Sequence, residues 1–157
     1  MTVQPKQGSG PIEERRYKRI LVGYDGSENA DRALSRAASI AKEQDSSLKI
    51  ICVLNIPMLA SAPFAPPIPQ GVFDDLMKDG KENVSRAIRA VSSMIPQASG
   101  SLEVGYPAER ILDAATKDGC DLIILGRRGV SRIERFLLGS VATSVMNHSK
   151  CDVLIVG

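Results

Sequence analysis

The chain has 157 residues, 20 Lys+Arg against 18 Asp+Glu, and a formal net charge of +2. That length predicts one domain, and the charge balance provides no global field for nucleic acid. The single histidine excludes a multi-histidine metal site within one chain and leaves little material for histidine acid–base chemistry.

Residues 1–16 are polar and rich in Gly, Pro and charge, which predicts a flexible tail ahead of a domain over 17–157. The run from Lys18 to Tyr24 is apolar after two charges, as expected for a strand buried on both faces. Asp25-Gly26-Ser27 then signals a turn, with Ser27 as N-cap and acidic Glu28 and Asp31 in the first helical turn. Ala30, Ala33, Leu34, Ala37, Ala38 and Ala41 recur at helical spacing, and their small size predicts close packing on a sheet. A second strand is expected over 48–54.

Residues 57–71 hold five of the nine prolines and read as a long loop, incompatible with helix or central strand. Phe73, Leu76, Met77, Val84, Ile88, Val91 and Ile95 mark a long amphipathic helix that Pro96 and Gly100 end. A short strand is expected over 101–105. Pro107 suits the first position of the next helix and Gly119 its close. A buried strand follows over 121–125, then a glycine-bearing loop from Gly126 to Gly139. Val141, Ala142, Val145 and Met146 mark the last helix, and 151–156 the last strand. The alternation β-α-β-α-β-α-β-α-β predicts an α/β sandwich with a mainly parallel sheet and helices on both faces. In such sheets ligands sit beyond the carboxyl ends of strands, where the winding reverses.

Three cysteines, Cys52, Cys120 and Cys151, are far apart and form no C-x-x-C pair, which argues against zinc or a disulfide framework and for a reducing compartment. The N-terminus has no apolar signal-peptide core. No apolar run approaches the ~18 residues of a membrane span. The expectation is a soluble, cytoplasmic protein with neither nucleic acid nor membrane as partner.

Two loops carry the chemistry. The first, Gly23 to Ser27, runs from a strand end into a helix. The second has Gly126, Arg127, Arg128 and Gly129, then nine residues, then Gly139-Ser140 opening a helix. Glycines allow backbone amides close to phosphate and tolerate positive φ. A helix N-terminus adds free N–H groups and a favourable dipole. The Ser140 hydroxyl adds a donor. Asp25 can accept from a ribose hydroxyl or hold a metal ion on the phosphates. Neither G-x-x-x-x-G-K-[ST] nor G-x-G-x-x-G is present.

These segments make the chain resemble the universal stress proteins. The residues that carry the likeness are RILVGYDGSENADRAL, GYPAERILDAA, DLIILGRRGVSRIERFLLGSVATSV and CDVLIVG. Gly126, Gly129, Gly139 and Ser140 fit the pattern Gly-x2-Gly-x9-Gly-[Ser/Thr] of the family's ATP-binding branch at every fixed position. The resemblance implies a three-layer, adenine nucleotide alpha hydrolase-like sandwich with a five-stranded parallel sheet in the order 3-2-1-4-5. It implies ATP as ligand, with or without Mg²⁺. Asp25 then meets ribose or metal, and the Val53 backbone meets adenine. Gly126, Arg128 and Gly129 line ribose and phosphates, and Gly139, Ser140 and Val141 hold phosphate. It also implies a homodimer paired antiparallel through the last strand, 151–156, an edge that is otherwise an open template. The implied role is nucleotide-dependent sensing or signalling under stress, with at most slow ATP hydrolysis. Three alternatives stay open: a partner-binding module without nucleotide, a true ATPase, and a site for AMP or a cyclic nucleotide.

The chain departs from relatives in two places. Arg127, Arg128, Arg132 and Arg135 make the second loop unusually basic, and Asp152 stands where relatives often carry Pro. Nothing is carried onto the Pro-rich stretch. The bland readings are Cys52 in the core and His148 as a cation at a helix C-terminus.

Overall fold

The structure, a computed structural model, describes residues 14–56, 67–129 and 138–157. Five strands, β1 (Arg19–Gly23), β2 (Ser47–Leu54), β3 (Ser99–Val104), β4 (Leu122–Gly126) and β5 (Asp152–Val156), form one sheet in the order β3-β2-β1-β4-β5. All four pairings are parallel. Among the described residues, four helices lie between them: α1 (Glu28–Gln44), α2 (Gln70–Val91), α3 (Pro107–Asp118) and α4 (Ser140–His148).

Strand side chains alternate between two cores. Ile20, Val22, Leu48, Ile50, Cys52, Leu122 and Ile124 face the side covered by α1 and α2. Leu21, Ile51, Ile123 and Leu125 face α3 and α4. Parallel strands covered on both faces need these continuous apolar runs. The six small or branched residues expected on α1, Ala30 to Ala41, are all buried.

Local signals act as their chemistry requires. The Ser27 hydroxyl accepts from the Ala30 N–H at 3.2 Å and caps α1. Gly119, at φ 60°, closes α3 in the left-handed conformation, with its N–H bonded to carbonyls of the last turn.

Several boundaries differ from the sequence reading. Gln70 and Gly71 are helical, although they lie in the segment read as loop; Pro69 is the N-cap, and only the residues beyond the last proline are free to wind. Residues 57–66 of that segment lie outside the described residues. The long helix stops at Val91, and Ile95 reaches the core (3% exposed) through a turn rather than a helical face. Gly100 does not end a helix but lies in β3, where a Cβ would stand 2.6 Å from Val84 of α2. Helix–sheet proximity, not turn formation, explains that glycine. Met146, expected on the inner stripe of α4, is 49% exposed.

The domain start is braced from below. Lys18 and Arg19 donate their N–H groups to the two oxygens of Asp121, at 2.8 and 3.0 Å. The Tyr17 hydroxyl donates to Asp152 at 3.0 Å, and Arg15 approaches the same carboxylate at 3.6 Å. Asp152 therefore ties the entry of β5 to the chain ahead of β1. Residues 1–13 of the expected tail lie outside the described residues.

Candidate functional site

From β1 the chain winds one way through β2 to β3, and the other way through β4 to β5. The reversal leaves a crevice at the carboxyl ends of β1 and β4, into which Tyr24-Asp25-Gly26-Ser27 and Gly126–Gly129 emerge.

The first loop is tightly specified. The Tyr24 N–H bonds the Ile51 carbonyl at 2.9 Å, so the chain stays in register one residue past β1. Asp25 Oδ1 accepts from the Ser27 N–H at 3.0 Å. Gly26 has φ +79°, a conformation that L side chains rarely adopt. Asp25 itself is exposed. Its other carboxylate oxygen lies over the Cα of Gly129, in the space a Cβ there would take.

The second loop is held by backbone. The Arg127 N–H donates to the Val156 carbonyl at 2.6 Å, and the Gly139 N–H donates to the Arg127 carbonyl at 2.9 Å. Residues 127–129 and the start of α4 therefore lie side by side. Gly139 is the N-cap of α4 and has no side chain to bond the first turn. The amides of Ser140 and Val141 lie in that turn, where a helix has no acceptor of its own. Ser140 is exposed, and Val141 and Arg128 are half-buried. Residues 130–137, with Arg132 and Arg135, lie outside the described residues.

The reason for the glycines differs from the one expected. Among the described residues, positive φ occurs at Gly26, Gly105, Gly119 and Asp45, not at Gly126, Gly129 or Gly139. Space is what constrains the three. A Cβ on Gly126 would stand 2.8 Å from the Asn29 backbone in the first turn of α1, so this glycine seats a helix against a strand end. A Cβ on Gly139 would stand 3.2 Å from the Arg127 carbonyl. Of the three, Gly129 is the one whose nearest described neighbour is a carboxylate, that of Asp25.

Val53, near the end of β2, is half-buried and packs against the α3–α4 core. Cys52 beside it is buried as expected, and desolvation, reinforced by the charge of Asp25, pushes its thiol up to about 12. Burial and then the charge of Asp118 push Cys120 up to about 11. His148 lies at the opposite end of α4 from Ser140, with its Nδ1–H donating to the Ser144 carbonyl at 2.8 Å. Among the described residues, no group of three or more His, Cys, Asp or Glu side chains is placed to hold a metal ion. No helix among them is long and apolar enough to cross a membrane.

Sequence reasoning missed a cluster on the α2 side of the first loop. Arg86 donates to the Tyr24 hydroxyl at 3.1 Å, and that hydroxyl donates to Asp31 at 2.7 Å. The guanidinium carbon stands 5.8 Å from the Tyr24 ring centroid. Burial, then the bond to Asp31, raises the Tyr24 phenol above its ordinary pKa. Nothing in the sequence marks Arg86, which lies on the polar stripe of an amphipathic helix.

Comparison with known proteins bears on this arrangement. The Universal stress protein family (Usp) matches residues 16–157. The chain belongs to the universal stress protein family. Universal stress protein MJ0531 of Methanocaldococcus jannaschii is 33% identical over 147 residues, covering 91% of this chain and 84% of that one. Universal stress protein UspA from Lactobacillus plantarum superposes with a TM-score of 0.79 at 26% identity, covering 92% of this chain and 100% of that one. A universal stress protein crystallised in complex with cAMP has a TM-score of 0.66 at 28% identity, covering 91% and 99%. The five-stranded 3-2-1-4-5 sheet expected from the resemblance is the family's adenine nucleotide alpha hydrolase-like fold.

Proposed function

We propose that this universal stress protein binds ATP at the β1/β4 crevice and acts as a nucleotide-dependent sensor or signalling module. The observation that carries the reading is the glycine-capped start of α4, held against the 127–129 backbone, with Asp25 across from Gly129. Uncapped amides at a helix N-terminus favour phosphate. Gly129 and Gly139 keep side chains out of that space. In this reading Ser140, Val141 and Gly139 hold phosphate, and Gly126, Arg128 and Gly129 line ribose and phosphates. The backbone of Val53 meets adenine, and Asp25 accepts from ribose. Mg²⁺ usually binds through one or two carboxylates plus substrate phosphates. Asp25 is the one carboxylate of this residue set, so it suits an ion brought by the nucleotide.

The half-buried, apolar β5 is a sheet edge. We assign it as the pairing surface of an antiparallel homodimer, since an unpaired edge of this kind is a template for a second copy. Hydrolysis is at most slow in this reading, and the compartment is the cytoplasm.

The neighbour in complex with cAMP favours a second reading, in which the same crevice takes cyclic AMP or AMP. One experiment separates these. Protein purified natively is acid-extracted, the released nucleotide is identified by chromatography, and the stripped protein is titrated calorimetrically with ATP, AMP and cAMP. Preferential binding of ATP is expected. Stripped, folded protein that binds none of the three overturns both readings.

A further inference from the structure

The Asp25 turn is gripped from the far side by α2. Arg86 and Asn83 lie one helical turn apart on that helix. A Cβ on Gly26 would stand 2.8 Å from Arg86 Nη2 and 3.3 Å from Asn83 Oδ1, so both side chains lie over the turn where Gly26 leaves room for them. Arg86 is exposed, yet its guanidinium is committed inward to a directed chain, Arg86 to Tyr24 to Asp31. Tyr24, 4% exposed, precedes Asp25 and is fixed through both its N–H and its hydroxyl. Gly26 follows Asp25 and is the one residue of the turn with wide conformational freedom. One guanidinium thus bonds the side chain of the residue before Asp25 and stands over the residue after it. A planar, multi-donor cation suits this double task, a hydrogen bond to the phenol and a position over its ring.

We infer that Arg86 is a positioning residue for the crevice: through Tyr24 and the Gly26 turn it aims the Asp25 carboxylate at the ribose hydroxyls, so that α2 sets how strongly the site recognises ribose. This rests on the nucleotide reading above, with Asp25 as the ribose acceptor. Arg86 does not touch the nucleotide. Its contribution disappears whenever Asp25, or the hydroxyls that Asp25 accepts from, is removed. Tyr24→Phe, which keeps the ring and deletes the hydroxyl, weakens ribose recognition in the same way.

The test is calorimetric titration without metal, using ATP and 2′,3′-dideoxy-ATP. The proteins are the wild type, Asp25→Ala, Arg86→Ala, the double variant and Tyr24→Phe, each checked by circular dichroism and urea unfolding. Neighbouring side chains that act as a unit show strongly non-additive effects, so Arg86→Ala is expected to weaken ATP binding about tenfold in the wild-type background and hardly at all in Asp25→Ala. Dideoxy-ATP affinity is expected to be the same with and without Arg86. A merely structural role for Arg86 would weaken both nucleotides alike. Equal losses in both backgrounds, equal losses for both nucleotides, or no loss for ATP overturns the proposal and leaves the nucleotide reading standing. A wild type that binds neither nucleotide overturns both.

Discussion

The Asp25 carboxylate occupies the space that a side chain on Gly129 would fill. These residues come from the ends of β1 and β4, neighbouring strands far apart in sequence. Their approach brings the two loops together at the carboxyl ends of those strands. Gly126, three residues earlier, faces backbone instead of a mobile side chain, so two glycines of one motif answer to different demands.

Gly129→Ala is expected to leave the fold intact, because among the described residues its Cβ meets only the far end of the Asp25 side chain. Asp25 must turn aside, and ATP affinity should fall at least about tenfold, which is about 1.4 kcal/mol. Calorimetry reads the affinity, and urea unfolding should show a nearly unchanged midpoint. A large stability loss with full affinity would contradict this assignment.

Gly126→Ala should act first on stability. Its Cβ would press on the Asn29 backbone in the first turn of α1, where no side chain can swing away. Overpacking of this kind costs roughly 1–3 kcal/mol, read as a lower urea midpoint at unchanged m-value. Seating α1 farther from the sheet also displaces the Ser27 cap.

The pH dependence follows from the buried thiols. Cys52 is pushed from 9.0 to about 12 and Cys120 to about 11. A folded-state pKa raised above the unfolded one favours the protonated form in the fold. This contribution is therefore fully present below pH 9 and is lost as pH rises through 11 to 12. Urea midpoints should decline across that window, and Cys52→Ala should flatten the decline. Alkylation of Cys52 and Cys120 by iodoacetamide should be slow at neutral pH, since the thiolate is the reacting form.

Tyr17→Phe removes the 3.0 Å bond to Asp152 that links the start of the domain to β5. A single partly exposed hydrogen bond is worth about 0.5–1.5 kcal/mol, and thermal unfolding should show a loss of that order. Amide exchange should quicken at the start of β5 more than in β1, which lies between two strands.

Leu154→Asp places a charge on the β5 edge, where the leucine is half-buried in the single chain. Sedimentation is expected to show the wild type as a dimer and the variant shifted toward monomer. A wild type that stays monomeric at high concentration would remove the edge-pairing assignment.

The order of elements, both layers and nearly every core position of α1 follow from local pattern, because burial on one helix face or both strand faces leaves a periodic trace along the chain. Ser27, Pro107 and Gly119 were equally legible, since a cap acts on its nearest neighbours. The spacing of Gly126, Gly129, Gly139 and Ser140 marked a special loop for the same reason. The sequence could not say why each glycine is needed, because Asn29, Asp25 and the Arg127 carbonyl reach them only through the folded sheet. Nor could it distinguish Gly100, pressed by Val84, from a glycine that merely ends a helix. Arg86 was least visible of all: an arginine on a polar helical stripe has no local signature. The three-dimensional packing of α2 against β2, β3 and α1 turns it toward Tyr24 and Gly26. Local periodicity thus determines which residues face inward, whereas contacts across separate strands decide which of them meet at the crevice.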